Sequence, residues 1–125
     1  MIYLDTHIVV WLYAGQVEKF SPQARDLIND NEIYISPVVR LELQYLYEIE
    51  RITVKPDDIV SDLSGRIGLK VCDKNFNSVI SRALAVDWTR DPFDRIIVAH
   101  ADLNHNILIS KDQSILAHYP HARWE

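Results

Sequence analysis

The chain has 125 residues, 48% of them hydrophobic and 25% charged, with a formal net charge of −5. That size and balance suit one globular domain over residues 1–125, burying roughly two-thirds of its unfolded surface without a metal or disulfide staple. The lone cysteine, Cys72, excludes an internal disulfide and a multi-thiolate zinc site, and 18 acids against 13 bases exclude a protein that coats nucleic acid through charge alone.

Charged residues recur throughout, so no apolar run is long enough to cross a bilayer. The N-terminus lacks a basic segment and Asp5 interrupts its apolar run, which argues against a signal peptide. The expectation is a soluble, cytoplasmic protein. Three glycines leave no glycine-rich phosphate loop.

Short apolar runs alternate with helical periodicities, a pattern that predicts an α/β fold with a parallel sheet. Ile2 to Leu4 reads as a strand. Thr6 to Tyr13 follows as a buried helix, stopped near Gly15. Ser21-Pro22 is an N-cap and first-turn pair opening a helix toward Asn29. The run EIYIS is the second strand, and Ser36-Pro37 caps a long helix reaching about Glu50. Pro56, with Asp57 and Asp58, starts a helix that ends near Gly65 or Gly68. LKVC is a short strand and Asn75 to about Ala85 a helix. Asp91-Pro92 is a third cap pair, opening PFDRIIVAHADL. NILIS is the last clear strand, and Lys111 to Ala117 forms a final short helix.

Four carboxylates stand out against this frame. Asp5 lies where the first strand stops, and Asp112 follows the last strand by two residues. Ligands of parallel sheets bind beyond the carboxyl ends of strands, but Asp is also a favoured helix cap, so each of the two admits both readings. Glu42 lies in the long helix on a face shared with Val38, Leu41 and Tyr45. It is either a stripe-edge residue, free or paired with Arg40 or Arg51, or a buried acid that needs a partner or a metal. Asp94 heads the stripe of Ile97, Val98 and Ala101 in the first turn of a helix that Asp91 already caps. A second acid there exceeds what a cap requires. Together the four are hard oxygen ligands of the kind Mg²⁺ and Mn²⁺ take, with phosphate oxygens completing the shell.

At these residues the sequence resembles the PIN-domain ribonucleases, and among them the VapC-like toxins of toxin–antitoxin pairs. MIYLDTHIVVW, ISPVVRLELQYL, DPFDRIIVAHA and ILISKDQSI carry the resemblance, in order, over nearly the whole chain. It implies a three-layer α/β/α fold around a parallel sheet. It also implies an acidic metal-binding core of Asp5, Glu42 and Asp94, with Asp112 at the place of a more variable fourth acid. Thr6 matches a hydroxyl that helps orient water. The resemblance further implies a Mg²⁺-dependent (or Mn²⁺-dependent) endoribonuclease, a homodimer, and a small VapB-like antitoxin whose tail covers the site. Two positions depart from the pattern. Lys111 directly precedes Asp112, where many relatives carry a smaller or uncharged residue, and it either pairs with that acid or meets an RNA phosphate. Leu41 stands where the most similar subgroup has tryptophan.

RNA substrate would be reached in single-stranded regions. Arg40, Arg82, Arg90, Arg95 and Lys111 are candidate phosphate contacts, and Arg95 leads because it adjoins Asp94. The alternative for each is a solvated surface charge. His7 is expected to be tied down in the first helix, His100 to be a core or interface residue, and Cys72 to be a small buried apolar group. Trp11, Trp88 and Trp124 read as core or interface packing rather than base-stacking platforms. VVWLY and LQYLY carry more apolar surface than a small domain hides, which points to a homodimer or partner interface. Three other functions compete: a phosphoacceptor receiver domain, a non-catalytic module of the same fold, and an RNA-processing nuclease with no antitoxin. The receiver reading is weakened because Asp5 is single and Asp57-Asp58 follow no apolar strand.

Overall fold

Ile2–Leu4 (β1) is apolar at every position and buried on both faces, as a central parallel strand requires. In the computed structural model, which describes residues 1–125, β1 lies between β2 (Ile33–Ile35) and β4 (Ile107–Ile109). β3 (Lys70–Val71) and β5 (Ala122–Arg123) form the edges. All pairings are parallel and the strand order is β3-β2-β1-β4-β5. The chain thus builds outward from β1 through β2 to β3, then returns to the other side of β1. The reversal falls between β1 and β4, and in open α/β sheets the crevice beyond the strand carboxyl ends at such a point is where ligands bind. This order also differs from the 2-1-3-4-5 arrangement of receiver domains, which removes that alternative.

Seven helices complete an α/β three-layer fold: α1 (Thr6–Tyr13), α2 (Pro22–Asp30), α3 (Pro37–Glu48), α4 (Pro56–Ile67), α5 (Phe76–Ala83), α6 (Pro92–Asp102) and α7 (Gln113–His118). The cap pairs act as the sequence predicts. Ser21 accepts from the Ala24 amide, Ser36 from Val38, and Asp91 from Phe93 and Asp94, each followed by proline in the first turn. Gly15 and Gly68 end α1 and α4 at φ +70° and +72°, a left-handed conformation that side chains with a Cβ rarely adopt.

Three local expectations need correction. The last helix starts at Gln113 rather than Lys111, because Asp112 accepts from the Ile115 amide and is the N-cap. β5 and a 3₁₀ turn at Val17–Lys19 have no forerunner in the sequence pattern. On α3, Val39, Leu43 and Leu46 are the buried residues, and of the stripe of Val38, Leu41 and Tyr45 only Val38 packs against the core. Leu41, Tyr45 and Ile49 are 61%, 50% and 43% exposed, and at i, i+4, i+8 they run as one outward apolar line.

The main core is continuous, with Tyr3, Leu4, Ile35, Leu43, Leu108 and Ile109 at its centre. A smaller cluster of Val79, Ala83 and Ala99 joins α5 to α6. Cys72 is buried and accepts from the Tyr3 hydroxyl at 3.0 Å. No helix is long and apolar enough to cross a membrane.

Candidate active site

The backbone of Asp5 is the last rung of β1: its amide donates to the Ile109 carbonyl at 3.0 Å. Its side chain is the N-cap of α1, accepting from the Thr6 amide at 2.8 Å through one oxygen. The other oxygen accepts from the Ser110 hydroxyl at 2.7 Å. Asp5 therefore caps a helix and faces the crevice at once; the two readings of the sequence are not exclusive. It is 7% exposed, and burial pushes its carboxyl up from the usual range while the Ser110 and Thr6 hydrogen bonds oppose that shift.

Ser110, one residue beyond β4, ties two acids together. Besides donating to Asp5, its oxygen accepts from the Asp112 amide at 3.0 Å. Asp112 caps α7 through one carboxylate oxygen, at 2.9 Å from the Ile115 amide. Sequence reasoning passed over Ser110. A serine at a strand end signals nothing until β4 is known to lie beside β1.

Thr6 is fully buried, and its hydroxyl donates to Glu42 Oε1. That bond draws the α3 glutamate toward the start of α1. Glu42 is half-buried, on the inward edge of α3 rather than among the exposed Leu41 and Tyr45. Neither Arg40 nor Arg51 pairs with it, and Arg40 binds Asp57 instead at 3.0 Å. Burial raises the Glu42 carboxyl, the Thr6 bond lowers it, and Asp5 and Asp91 raise it.

Asp94 completes the group from the first turn of α6. Burial comes first among the causes that push it up to about 7, followed by repulsion from Asp5, Asp91, Asp112 and Glu42. A buried bond between Ser36 Oγ and His100 Nδ1, 2.8 Å, joins the start of α3 to α6 and so fixes the two helices that bring Glu42 and Asp94 together. Burial lowers the His100 pKa, which keeps the ring neutral.

These acids line one open cleft of about 360 Å³, with His7, Ile8, Trp11, Asp91 and Lys111. All four acids singled out from the sequence are brought to it, together with Asp91. The side chains border the cleft without closing on one point: no three acids or histidines stand as a ready-made set of ligands. Mutual repulsion among carboxylates accounts for such an open arrangement. The donor set, hard oxygens facing one open crevice, fits a divalent cation of the Mg²⁺ or Mn²⁺ kind.

The expected cations fare differently. The Arg95 guanidinium turns away from Asp94 to the Ala83 and Leu84 carbonyls at the end of α5, so it braces two helices and does not border the cleft. Arg82 pairs with Asp102 and Arg90 bonds the Asp87 carbonyl. Lys111 does reach the cleft but makes no ion pair with Asp112; its ammonium stands 5.9 Å from the ring centre of Trp11 and 5.7 Å from that of Trp124. His7 is exposed at the cleft rather than tied down in the helix.

Asp94 is raised above its unfolded value, so ionising it costs stability between that value, near 4, and its folded value near 7. In EDTA, Asp94→Asn is expected to stabilise the protein by on the order of 1–2 kcal/mol at pH 8, after allowance for solvent screening. The gain should shrink as pH falls through 7 and vanish near 4. Urea unfolding across that range reads it; a gain that grows on acidification contradicts this account.

The sequence matches the PIN domain family over residues 2–121. No curated protein matches it. Three solved structures are similar in fold. VapBC2 from Rickettsia felis bound to a DNA fragment from the promoter has 20% identity and a TM-score of 0.66, covering 100% of both chains. A toxin–antitoxin complex from Klebsiella pneumoniae has 18% identity and a TM-score of 0.65, covering 98% of this chain and 96% of that one. DNA-bound VapBC from Salmonella typhimurium has 20% identity and a TM-score of 0.60, covering 100% and 98%. The chain belongs to the PIN domain family.

Proposed function

We propose that this PIN-domain protein is a metal-dependent endoribonuclease and the VapC-type toxin of a toxin–antitoxin pair. The observation that carries the reading is the convergence of Asp5, Glu42, Asp94 and Asp112, from four separated segments, on one cleft at the sheet's switch point. Structural kinship to toxin–antitoxin assemblies supports the toxin role.

Asp5, Glu42, Asp94 and Asp112 would hold Mg²⁺ or Mn²⁺. When bound, the cation supplies a water of lowered pKa and neutralises charge developing on a phosphate. The protein's part is to position. Asp5 is locked by Ser110 and the Thr6 amide, so its carboxylate cannot rotate away as charge accumulates. Thr6 aims Glu42, while Ser110 holds the backbone of Asp112. Asp94, its carboxyl pushed up to about 7, would release its proton to solvent when a cation binds. Attack by water on phosphorus, with the 3′ oxygen leaving, forms one P–O bond and breaks another, and leaves a 5′-phosphate.

RNA incubated with wild-type protein and Mg²⁺ or Mn²⁺ is expected to be cleaved with 5′-phosphate ends. EDTA should abolish cleavage, and Asp94→Ala, shown by circular dichroism to be folded, should lower it at least about 100-fold. A 2′,3′-cyclic phosphate product, or equal cleavage by the variant, overturns the mechanism.

The toxin role predicts that inducing the wild-type chain arrests bacterial growth, that Asp94→Ala does not, and that co-expressing the product of a small adjacent reading frame restores growth. Cleavage in vitro without arrest would favour an RNA-processing nuclease that has no antitoxin.

The outward line of Leu41, Tyr45 and Ile49, with Phe93 6.1 Å from Tyr45 between ring centres, is the surface we assign to homodimerisation. Sedimentation at micromolar concentration should give a dimer mass for the wild type and a monomer mass for Tyr45→Arg. A monomeric wild type sinks the assignment.

A further inference from the structure

The wall of the cleft beyond Asp112 has a chemistry opposite to its floor. Trp11 meets Phe20 and Trp124 edge to face and those two rings tilt against each other, with ring centres 5.6–6.2 Å apart. The Ser21 hydroxyl donates to the Trp124 carbonyl and anchors this cluster to the start of α2. Two ammonium groups lie over the aromatic surface: Lys19 at 5.1 Å from the centre of Trp11, and Lys111 between Trp11 and Trp124. Lys111 also lines a second cavity of about 520 Å³ with Lys19, Phe20, Gln113 and Trp124, so it borders both cavities. Among the residues lining that second cavity, only Glu125 is acidic.

Most basic side chains of this chain are already engaged. Arg40, Arg66, Lys70 and Arg82 are in ion pairs, and Arg25, Lys74, Arg90, Arg95 and Arg123 donate to backbone carbonyls. Lys19 and Lys111 have no carboxylate or carbonyl partner, only the indole faces. A protein with a net charge of −5 thus keeps two unneutralised ammonium groups in one cavity, and one of them, Lys111, also lines its acidic cleft. Cations resting on indoles, with no anion of their own, are readily shifted to an incoming phosphate, and the uncovered ring is a surface on which a base can stack.

We propose that Lys19, Lys111 and Trp11 form a binding site for a nucleotide of single-stranded RNA next to the scissile phosphate, its phosphates held between the two lysines and its base against the Trp11 indole. The proposal rests on the nuclease reading for the direction of the strand, which runs from the acidic floor over Lys111 into the second cavity. The lysines offset the repulsion that the carboxylates impose on RNA, and they do so on one side only, so they set which way the strand lies.

The test reads binding apart from cleavage. Fluorescein-labelled single-stranded RNA of mixed sequence is titrated with protein in Ca²⁺ at several salt concentrations. Four proteins are compared: wild type, Lys19→Gln/Lys111→Gln, Lys19→Arg/Lys111→Arg, and the control Arg51→Gln/Lys55→Gln. The control removes the same charge from the α3–α4 connection, outside both cavities. The glutamine pair is expected to bind at least about 10-fold more weakly near physiological salt. Its slope of log affinity against log salt should fall by about 1.4, because two phosphates are no longer neutralised. The arginine pair should keep most of the wild-type affinity and the control should match the wild type. Wild-type affinity in the glutamine pair, an equal loss in the control, or no binding by the wild type overturns the proposal. Cleavage in Mg²⁺ separates the two readings. A wild type that cleaves while the glutamine pair binds normally removes this site and leaves the nuclease standing. A wild type that binds through the two lysines but never cleaves upholds the site and removes the nuclease.

Discussion

A carboxylate buried at the carboxyl end of the central strand is the constraint from which the rest of the cleft follows. Asp5 has lost most of its water, and a carboxylate in that position must be hydrogen-bonded or matched by a cation. The fold supplies two donors, the Thr6 amide from the next helix and the Ser110 hydroxyl from the neighbouring strand. Each donor also touches another acid: Thr6 reaches Glu42 through its hydroxyl, and Ser110 accepts from the Asp112 amide. Solving the burial of one acid therefore places two more beside it. Asp94 arrives from α6 and gains no such donor, so nothing offsets its burial and the repulsion of the neighbouring acids.

Much of this was legible in the sequence because it depends on local chemistry. Ser21-Pro22, Ser36-Pro37 and Asp91-Pro92 announce helix starts through interactions that span two or three residues, and the structure keeps all three. The apolar runs around Tyr3, Tyr34 and Leu108 are buried parallel strands. What escaped the sequence depends on which elements become neighbours. The inward face of α3 could not be told from its outward face, since both are apolar: Val39 and Leu43 turn in while Leu41 and Tyr45 turn out. Arg95 adjoins Asp94 in sequence, but its long side chain finds the free carbonyls ending α5. Ser110 gains meaning only from the pairing of β4 with β1. β5 is two residues long and carries no period of its own.

The charge distribution bears on how an acidic protein would meet the polyanionic substrate proposed for it. Overall charge governs long-range approach, but the Debye length at physiological salt is about 8 Å, so the groups lining a cleft decide what rests there. In this chain most cations are committed to bracing the fold, as Arg95 is between α5 and α6 and Arg82 is against Asp102. The few that remain uncommitted carry disproportionate weight: Lys111 borders the acidic cleft and shares the adjoining cavity with Lys19.

The strand order has a temporal consequence. β1 is made first, yet its second neighbour, β4, comes from residues 107–109. While the chain is being synthesised, β1 and β2 can pair early, but one edge of β1 and the buried face of Asp5 have no partner until Ser110 leaves the ribosome. The acids of the cleft are separated in the chain by stretches that run from residue 5 to residue 112, so no nascent fragment ending short of β4 contains the full set. A chain of this topology cannot complete its acidic cleft before residues 110–112 have been made. A nascent fragment that stops short of β4, still surrounded by messenger and ribosomal RNA, carries no assembled site.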